Sequence, residues 1–480
     1  MRPMILIVSL FICLSVTLVK GQQPLTSEFI VNTNSKEDQR YSDVIVLKNG
    51  NFVVVWQSEP LSRTDDDIFC QILDNMGNKI GNEIQVNTYT SSFQSYPSID
   101  VFDNGDFIIV WQSQILTVGW RIYGQILSET GNKIGNETLM GALGPYSQIN
   151  PKVKVLDNDK FVVVWTRWIA LTGGLKYEVH CHILGRNIST DEFISLTIFR
   201  AHDYYDYSQS RPVIARLNNE SFVVAWHGSI SGNLGADIIA QIFNSSGDKI
   251  GTAIQVNNYT DLRQVYPDIA ALNNGNFIIV WHSERQIAGY DIFGQLFHEN
   301  GTKDGVEFLI NNYTSSNQIT PTLASVGDKF AVVWDSYGQD GSQNGLYGQL
   351  FLENGDKFGD EFLVNVVTRS VQRYQAITGL DNQTFVVTWN SYGQVMGEDI
   401  IGRIFSNNIA ITTGVDATSS SSSSSSSSQS TISSGSITSV SFSTTQITES
   451  SSISSATRSN DSITIIISLV MVAFGITLPK

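Results

Sequence analysis

The sequence predicts an all-β protein, a seven-bladed β-propeller of four-stranded blades followed by a disordered Ser/Thr-rich stalk. Three observations predict it. The stretch "NGNFVVVWQS" (49–58) recurs as "NGDFIIVWQS", "NDKFVVVWTR", "NESFVVAWHG", "NGNFIIVWHS", "GDKFAVVWDS" and "NQTFVVTWNS". The tryptophans of these copies, Trp56, Trp111, Trp165, Trp226, Trp281, Trp334 and Trp389, lie 53–61 residues apart, the spacing of one supersecondary unit repeated. Finally, the phase is broken at the ends. The repeats open on a lone fourth strand, "EFIVN" (28–32), and stop after a third, "IIGRIF" (400–405), so pairing the two closes a ring and leaves no free edge.

Taken in order, residues 1–21 read as a secretory signal peptide. Arg2 precedes the apolar run "MILIVSLFICLSVTLV", and Lys20-Gly21 follows. Residues 22–408 form the propeller. In its first full unit the strands are "DVIVL" (43–47), "FVVVW" (52–56), "IFCQIL" (68–73) and "EIQVN" (83–87), rich in branched and aromatic residues and too short for helices. "KNG" and "NNG" make tight turns between the first and second. The second strand is apolar at successive positions rather than alternating, which suits a sheet covered on both faces. The long stretch "NTYTSSFQSYP" serves as the crossover between blades. It shares the top face with the loop after each Trp, and both tight turns lie on the bottom.

Residues 409–460 are mostly Ser and Thr, with an unbroken Ser run from Ser419 to Ser428, and bury nothing. Residues 461–480 end the chain with "ITIIISLVMVAFGITL". As a helix these sixteen residues reach about 24 Å, short of a hydrocarbon core of about 30 Å. Small residues at 454–457, the spacer "RSNDS" and the terminal apolar tail form the pattern of a lipid-anchor signal. A short membrane span is the alternative. The expected address is the extracellular face of the plasma membrane.

Sequons at Asn136, Asn187, Asn219, Asn244, Asn300 and Asn382 fall at or near bottom turns, and those at Asn258 and Asn312 fall in top crossovers. Glycans would then crowd the membrane-facing side. Net charge is −16 with acidic residues scattered, which argues against a nucleic-acid partner. Cys70 and Cys181 hold the same third-strand position in blades one and three, too far apart for a bridge, so both are expected unpaired.

Blade six, "VVWDSYGQDGSQNGLYGQLFLENGDKFGDEFLVN", resembles the tandem "VVW-S-GQDG-G-IYGQ-F…G…EF-VNT" repeats of large secreted and cell-surface proteins of bacteria and some single-celled eukaryotes. The resemblance covers about residues 28–406 and implies a surface-exposed, adhesin-like role. Blade three departs most, with "VHCHIL" in place of "IYGQIF".

The crossover "RAHDYYDYSQSRP" (200–212) is the most individual stretch. His202, Asp203, Tyr204, Tyr205, Asp206 and Tyr207 make an aromatic–acidic cluster there, and Trp120 and Trp168 lie in top loops. Aromatics beside carboxylates stack on sugar rings or anchor a protein partner, so these eight residues are the candidate ligand site. The same loop packing its own tyrosines over blade three explains them as well. The polar residues after each Trp (Gln57, Gln112, Thr166, His227, His282, Asp335 and Asn390) either line the top entrance or, as their repetition favours, cap their own strands. No cofactor is required. "DGSQNG" (340–345) and "RTDDDI" (63–68) offer oxygens of the kind calcium takes, without the alternating acidic spacing of a dedicated calcium loop. His180 and His182 supply two imidazoles, too few for a closed zinc site.

The reading is a non-catalytic, surface-tethered recognition or adhesion protein that binds an extracellular glycan or protein through its top loops. The alternatives are a secreted propeller hydrolase acting on glycans, with Asp203 and Glu178 as candidate carboxyls, or a structural coat protein. The chain has no "GxSxG" or "HExxH" and no sialidase-type Asp-box.

Overall fold

The computed structural model describes residues 12–19, 23–407 (apart from 61–64, 158–159, 172–173, 188–189, 191, 204–207, 219, 230–234, 285–288, 342, 370 and 393–396), 410–417, 453–459 and 462–468. It divides into two units.

The larger unit, Gly21–Asn408, is a seven-bladed propeller. Each blade is an antiparallel meander of four strands, innermost first. Blade 1 comprises Asp38–Val46, Phe52–Glu59, Asp67–Leu73 and Lys79–Gln85. The innermost strands of blades 2 to 7 are Gln94–Val101, Ser147–Val155, Gln209–Arg216, Gln264–Ala271, Gln318–Val326 and Gln372–Gly379. Blade 7 has only three consecutive strands. Its outer place is taken from the N-terminal side, where Phe29–Ile30 and Gln23–Pro24 pair antiparallel with Glu398–Ser406. The ring therefore closes as its phase predicts.

The hydrophobic core lies in the seven seams rather than at the axis. One cluster joins Leu47, Val53 and Ile68 of blade 1 to Ile99, Phe107 and Trp111 of blade 2, and each of the other seams holds its counterpart. The second strand of blade 1 is buried from Phe52 through Ser58, as expected of a strand covered on both faces. The seven repeat tryptophans are among the largest fully buried side chains, one in each seam.

The signature residues of the repeat hold the blades together. Six of the seven indole N–H groups donate to a glutamine at the start of the innermost strand, for example Trp56 to Gln39 at 2.7 Å and Trp281 to Gln264 at 3.0 Å. The Asn of each "VN" caps a third strand: Asn87 Oδ1 accepts from Ile68 N at 2.7 Å, and Asn257, Asn311, Asn365 and Asn32 repeat the bond. The outer-strand Glu reaches the preceding blade's crossover, Glu83 accepting from Thr33 N at 2.7 Å and Glu361 from Asn312 N at 2.7 Å.

Blade 3 keeps the fold with other residues. His182 replaces the buried Gln, its Nδ1 donating to Met140 O at 2.7 Å and its Nε2 lying 2.8 Å from Ser195 Oγ. Cys70 and Cys181 are unpaired and buried, and burial pushes the Cys70 thiol up to about 12.

The smaller unit contains a four-stranded antiparallel sheet in the order Ala410–Ala417, Ile12–Val19, Ser462–Ser468, Ile453–Ser459. Residues 1–11, the Ser-rich stretch 418–452 and the apolar tail 469–480 lie outside the described residues.

Candidate functional site

Each innermost strand shifts register once, near its start, at a β-bulge: between Arg40 and Asp43, Ser95 and Ser98, Ile149 and Lys152, and so on round the ring. Within the bulge sits a non-glycine residue in left-handed conformation. The seven are Tyr41, Tyr96, Asn150, Arg211, Tyr266, Thr320 and Tyr374, with φ from 49° to 57°. This region costs an ordinary residue about 1–2 kcal/mol, so the surrounding structure must hold it in place.

In five blades the clamp is the polar residue after the Trp, reaching across the seam to the next blade. Gln112 Oε1 accepts from Asn150 N at 2.9 Å, Thr166 Oγ1 from Arg211 N at 3.0 Å and His282 Nδ1 from Thr320 N at 3.0 Å. Gln57 and His227 receive Tyr96 N and Tyr266 N in the same way. None of the seven lines the axial opening, so that expectation is corrected; several also bond within their own blade, as Gln57 Nε2 to Asp66 and Gln112 Nε2 to Ser95 Oγ, and so tie their own strand to the next blade. Burial, reinforced by nearby arginines, holds His227 and His282 down to about 3, so both rings stay neutral and keep Nδ1 as an acceptor.

In blade 6 the position is Asp335, buried, with Oδ1 unpartnered among the described residues. Burial pushes its carboxyl up to about 8. A carboxyl raised on folding favours the folded state most below its unfolded value of about 4. That contribution is lost as pH rises towards 8. Asp335→Asn, matching Asn390 of blade 7, is therefore expected to stabilise the chain by about 1–3 kcal/mol at pH 8 and to have much less effect at pH 4. Urea unfolding of both proteins at the two pH values measures this. An equal effect at both would contradict it.

The left-handed residues converge on the axis at the end where crossovers enter, the top. They line a cavity of about 360 Å³. Tyr41 packs between Tyr96 and Tyr374, with ring centroids 4.4 Å apart on each side. Across the mouth, the Arg211 guanidinium lies 4.3 Å over the Tyr266 ring, whose other contacts include His282 at 5.0 Å. Lys152 and Asp268 line both this cavity and the channel of about 450 Å³ beneath it. Lys152 Nζ is 3.6 Å from Asp43, and Asp43 followed by Asp268 holds it charged more firmly than usual. Asp268 accepts from Thr322 Oγ1 at 2.9 Å and Leu323 N at 3.0 Å.

The residues singled out in the sequence lie elsewhere. Trp120 and Trp168 come together between blades 2 and 3: Trp120 N donates to Ser147 Oγ at 3.3 Å, and Trp168 pairs with Ser147 across the sheet. Both are half-buried, Trp120 at the start of Gly119–Leu127 in blade 2 and Trp168 near the closing end of a long hairpin, Lys160–Leu171 and Gly174–Asn187, in blade 3. His202 is a correction. It is only 1% exposed, accepts from Val179 N at 3.3 Å and stands where other blades carry the capping Asn, so it presents nothing to a ligand. Asp203 is exposed and paired with Lys249 at 2.7 Å. Tyr204, Tyr205, Asp206 and Tyr207 lie outside the described residues, as does Asn219. Of the other sequons, Asn136, Asn258, Asn300, Asn312 and Asn382 are exposed, and Asn187 and Asn244 are half-buried. Of the two candidate hydrolase carboxyls, Asp203 is exposed and Glu178 is buried, where a hydrogen bond with His180, assisted by nearby arginines, holds it down to about 2. Among the described residues no group of three or more His, Cys, Asp or Glu is placed to hold a metal ion.

The axial site was present in the sequence as "YP", "NP", "RP", "TP" and "RY", each following a glutamine by two residues or directly, but these dipeptides sit inside what reads as crossover.

No protein-family model and no curated protein matches the chain. Among solved structures it is similar to a protein of unknown function from Dyadobacter fermentans, at 10% identity and TM-score 0.47, over 80% of this chain and 99% of that one. It is also similar to an α-L-arabinofuranosidase of Fusarium graminearum, at 11% identity and TM-score 0.44 over 70% and 98%. A third is the NanB sialidase of Streptococcus pneumoniae, at 11% identity and TM-score 0.43 over 80% and 70%.

Proposed function

We propose that this chain is a surface-tethered recognition propeller that takes a glycan in its axial top cavity. One observation carries the reading: four of the seven left-handed positions round the mouth are tyrosines, Tyr41, Tyr96, Tyr266 and Tyr374. A mouth of phenol rings with a few fixed polar groups suits a sugar, whose C–H faces stack while its hydroxyls find Asn150, Thr320 and Gln375. The orientation supports it. The closing strand starts at Gln23, beside Ser406, and Asn407 bonds the bottom turn through Gln383 O at 2.8 Å. Both ends of the propeller thus lie on the face opposite the cavity. On this reading the Ser/Thr-rich segment leads from the propeller to a C-terminal anchor on the outside of the membrane.

A glycan array probed with the full-length chain tests the proposal. Selective binding is expected, weakened about tenfold or more by Tyr96→Ala combined with Tyr374→Ala. Absence of any binding, or binding indifferent to both substitutions, overturns it. Release of reducing sugar from a bound glycan would replace recognition by hydrolysis.

A further inference from the structure

The charged groups at the axial cavity are unevenly paired. Lys152 is matched by Asp43 and Asp268. Arg211 makes no ion pair among the described residues, and its plane is fixed by stacking on Tyr266 at 4.3 Å. Its backbone is fixed too, by the bond to Thr166. Two further guanidiniums, neither lining the cavity, stack on tyrosines: Arg167, at 4.2 Å from the Tyr146 centroid, and Arg373. Arg373 lies 4.7 Å over the Tyr374 ring, and its edge is taken by Glu398, Nη2 to Oε1 at 2.9 Å. A guanidinium stacked by its face offers its N–H groups at the edge, in a fork that matches a planar carboxylate. Arg373 thus has its carboxylate within the chain, and Arg211, at the cavity, has none among the described residues.

On the reading that the cavity takes a glycan, we infer that its ligand bears a carboxylate, and that Arg211 binds this group edge-on as Arg373 binds Glu398. The ligand class is an acidic sugar such as a uronic acid, with tyrosines against the ring and Arg211 on the acid.

The test is titration of the full-length chain with a glucuronate-terminated trisaccharide, its methyl ester and the corresponding glucose-terminated trisaccharide, by calorimetry. The acid is expected to bind at least tenfold more tightly than ester or glucose, with the advantage shrinking at high salt. Arg211→Gln should bring the acid down to the level at which the same variant binds the ester. The ester comparison needs no substitution, so it stands even if position 211 tolerates no change. Equal binding of acid, ester and glucose overturns this inference and leaves the glycan reading in place. Binding of none, alongside a silent array, removes the glycan reading and this inference with it.

Discussion

Deleting residues 22–33 is expected to destabilise the propeller by about 5 kcal/mol or more and to make the chain aggregate. The segment supplies the outer strand of blade 7 and has no substitute. Val31 is fully buried in the seam between blades 7 and 1, a contribution of about 1.5–3 kcal/mol. Phe29 covers Gly402 so closely that a Cβ there would lie 2.4 Å from the ring, which is why the strand position it crosses is glycine. Asn32 receives Ile400 N at 2.8 Å and donates to Asp399 at 2.8 Å, both buried. Without the segment, Glu398–Ser406 becomes an unpaired edge flanked by apolar surface, the arrangement that invites intermolecular pairing. Asn32→Ala isolates the capping bonds and is expected to cost about 2–4 kcal/mol. Urea unfolding and size-exclusion chromatography measure both. A deletion variant that stayed monomeric with an unchanged midpoint would mean that the ring is closed by something else.

The propeller was legible because its signals are local and repeated. Turn residues, apolar runs and the Trp interval survive in a linear reading, and the broken phase at Glu28 and Phe405 already implied closure. The axial site was not legible, for two physical reasons. A left-handed non-glycine residue has no compositional mark, so Gln-x-Tyr-Pro reads as loop although it begins the innermost strand. The residues that stabilise it come from the preceding blade, as with Thr166 for Arg211, and only the closed ring shows which side chain faces which amide. His202 failed for the opposite reason. Its neighbours in sequence are aromatic and acidic, but its position in the repeat is that of the capping Asn, and register outweighed composition. The repeat position was available in the sequence and was the better guide.

Register also distinguishes the tryptophans. Trp281→Ala is expected to cost about 3–5 kcal/mol, since the ring fills the seam between blades 4 and 5 with Ile238, Phe277 and Phe297. Its N–H lies in the dry interior and has one partner in the structure, Gln264, at 3.0 Å. Gln264→Ala should therefore leave a buried donor unsatisfied and cost about 1–3 kcal/mol beyond the small loss of packing. Blade 3 provides the control. Gln148 occupies the same place but turns its amide to Ala142 O, and Trp165 Nε1 has no partner among the described residues. Gln148→Ala thus breaks no indole bond, and its cost should fall below that of Gln264→Ala by about 1 kcal/mol. Urea midpoints of the three single variants and of the double variant Trp281→Ala with Gln264→Ala close a thermodynamic cycle. A coupling near zero would show that the indole and the glutamine act independently, and the recurring pair would then mark the shape of the seam rather than a bond that holds it.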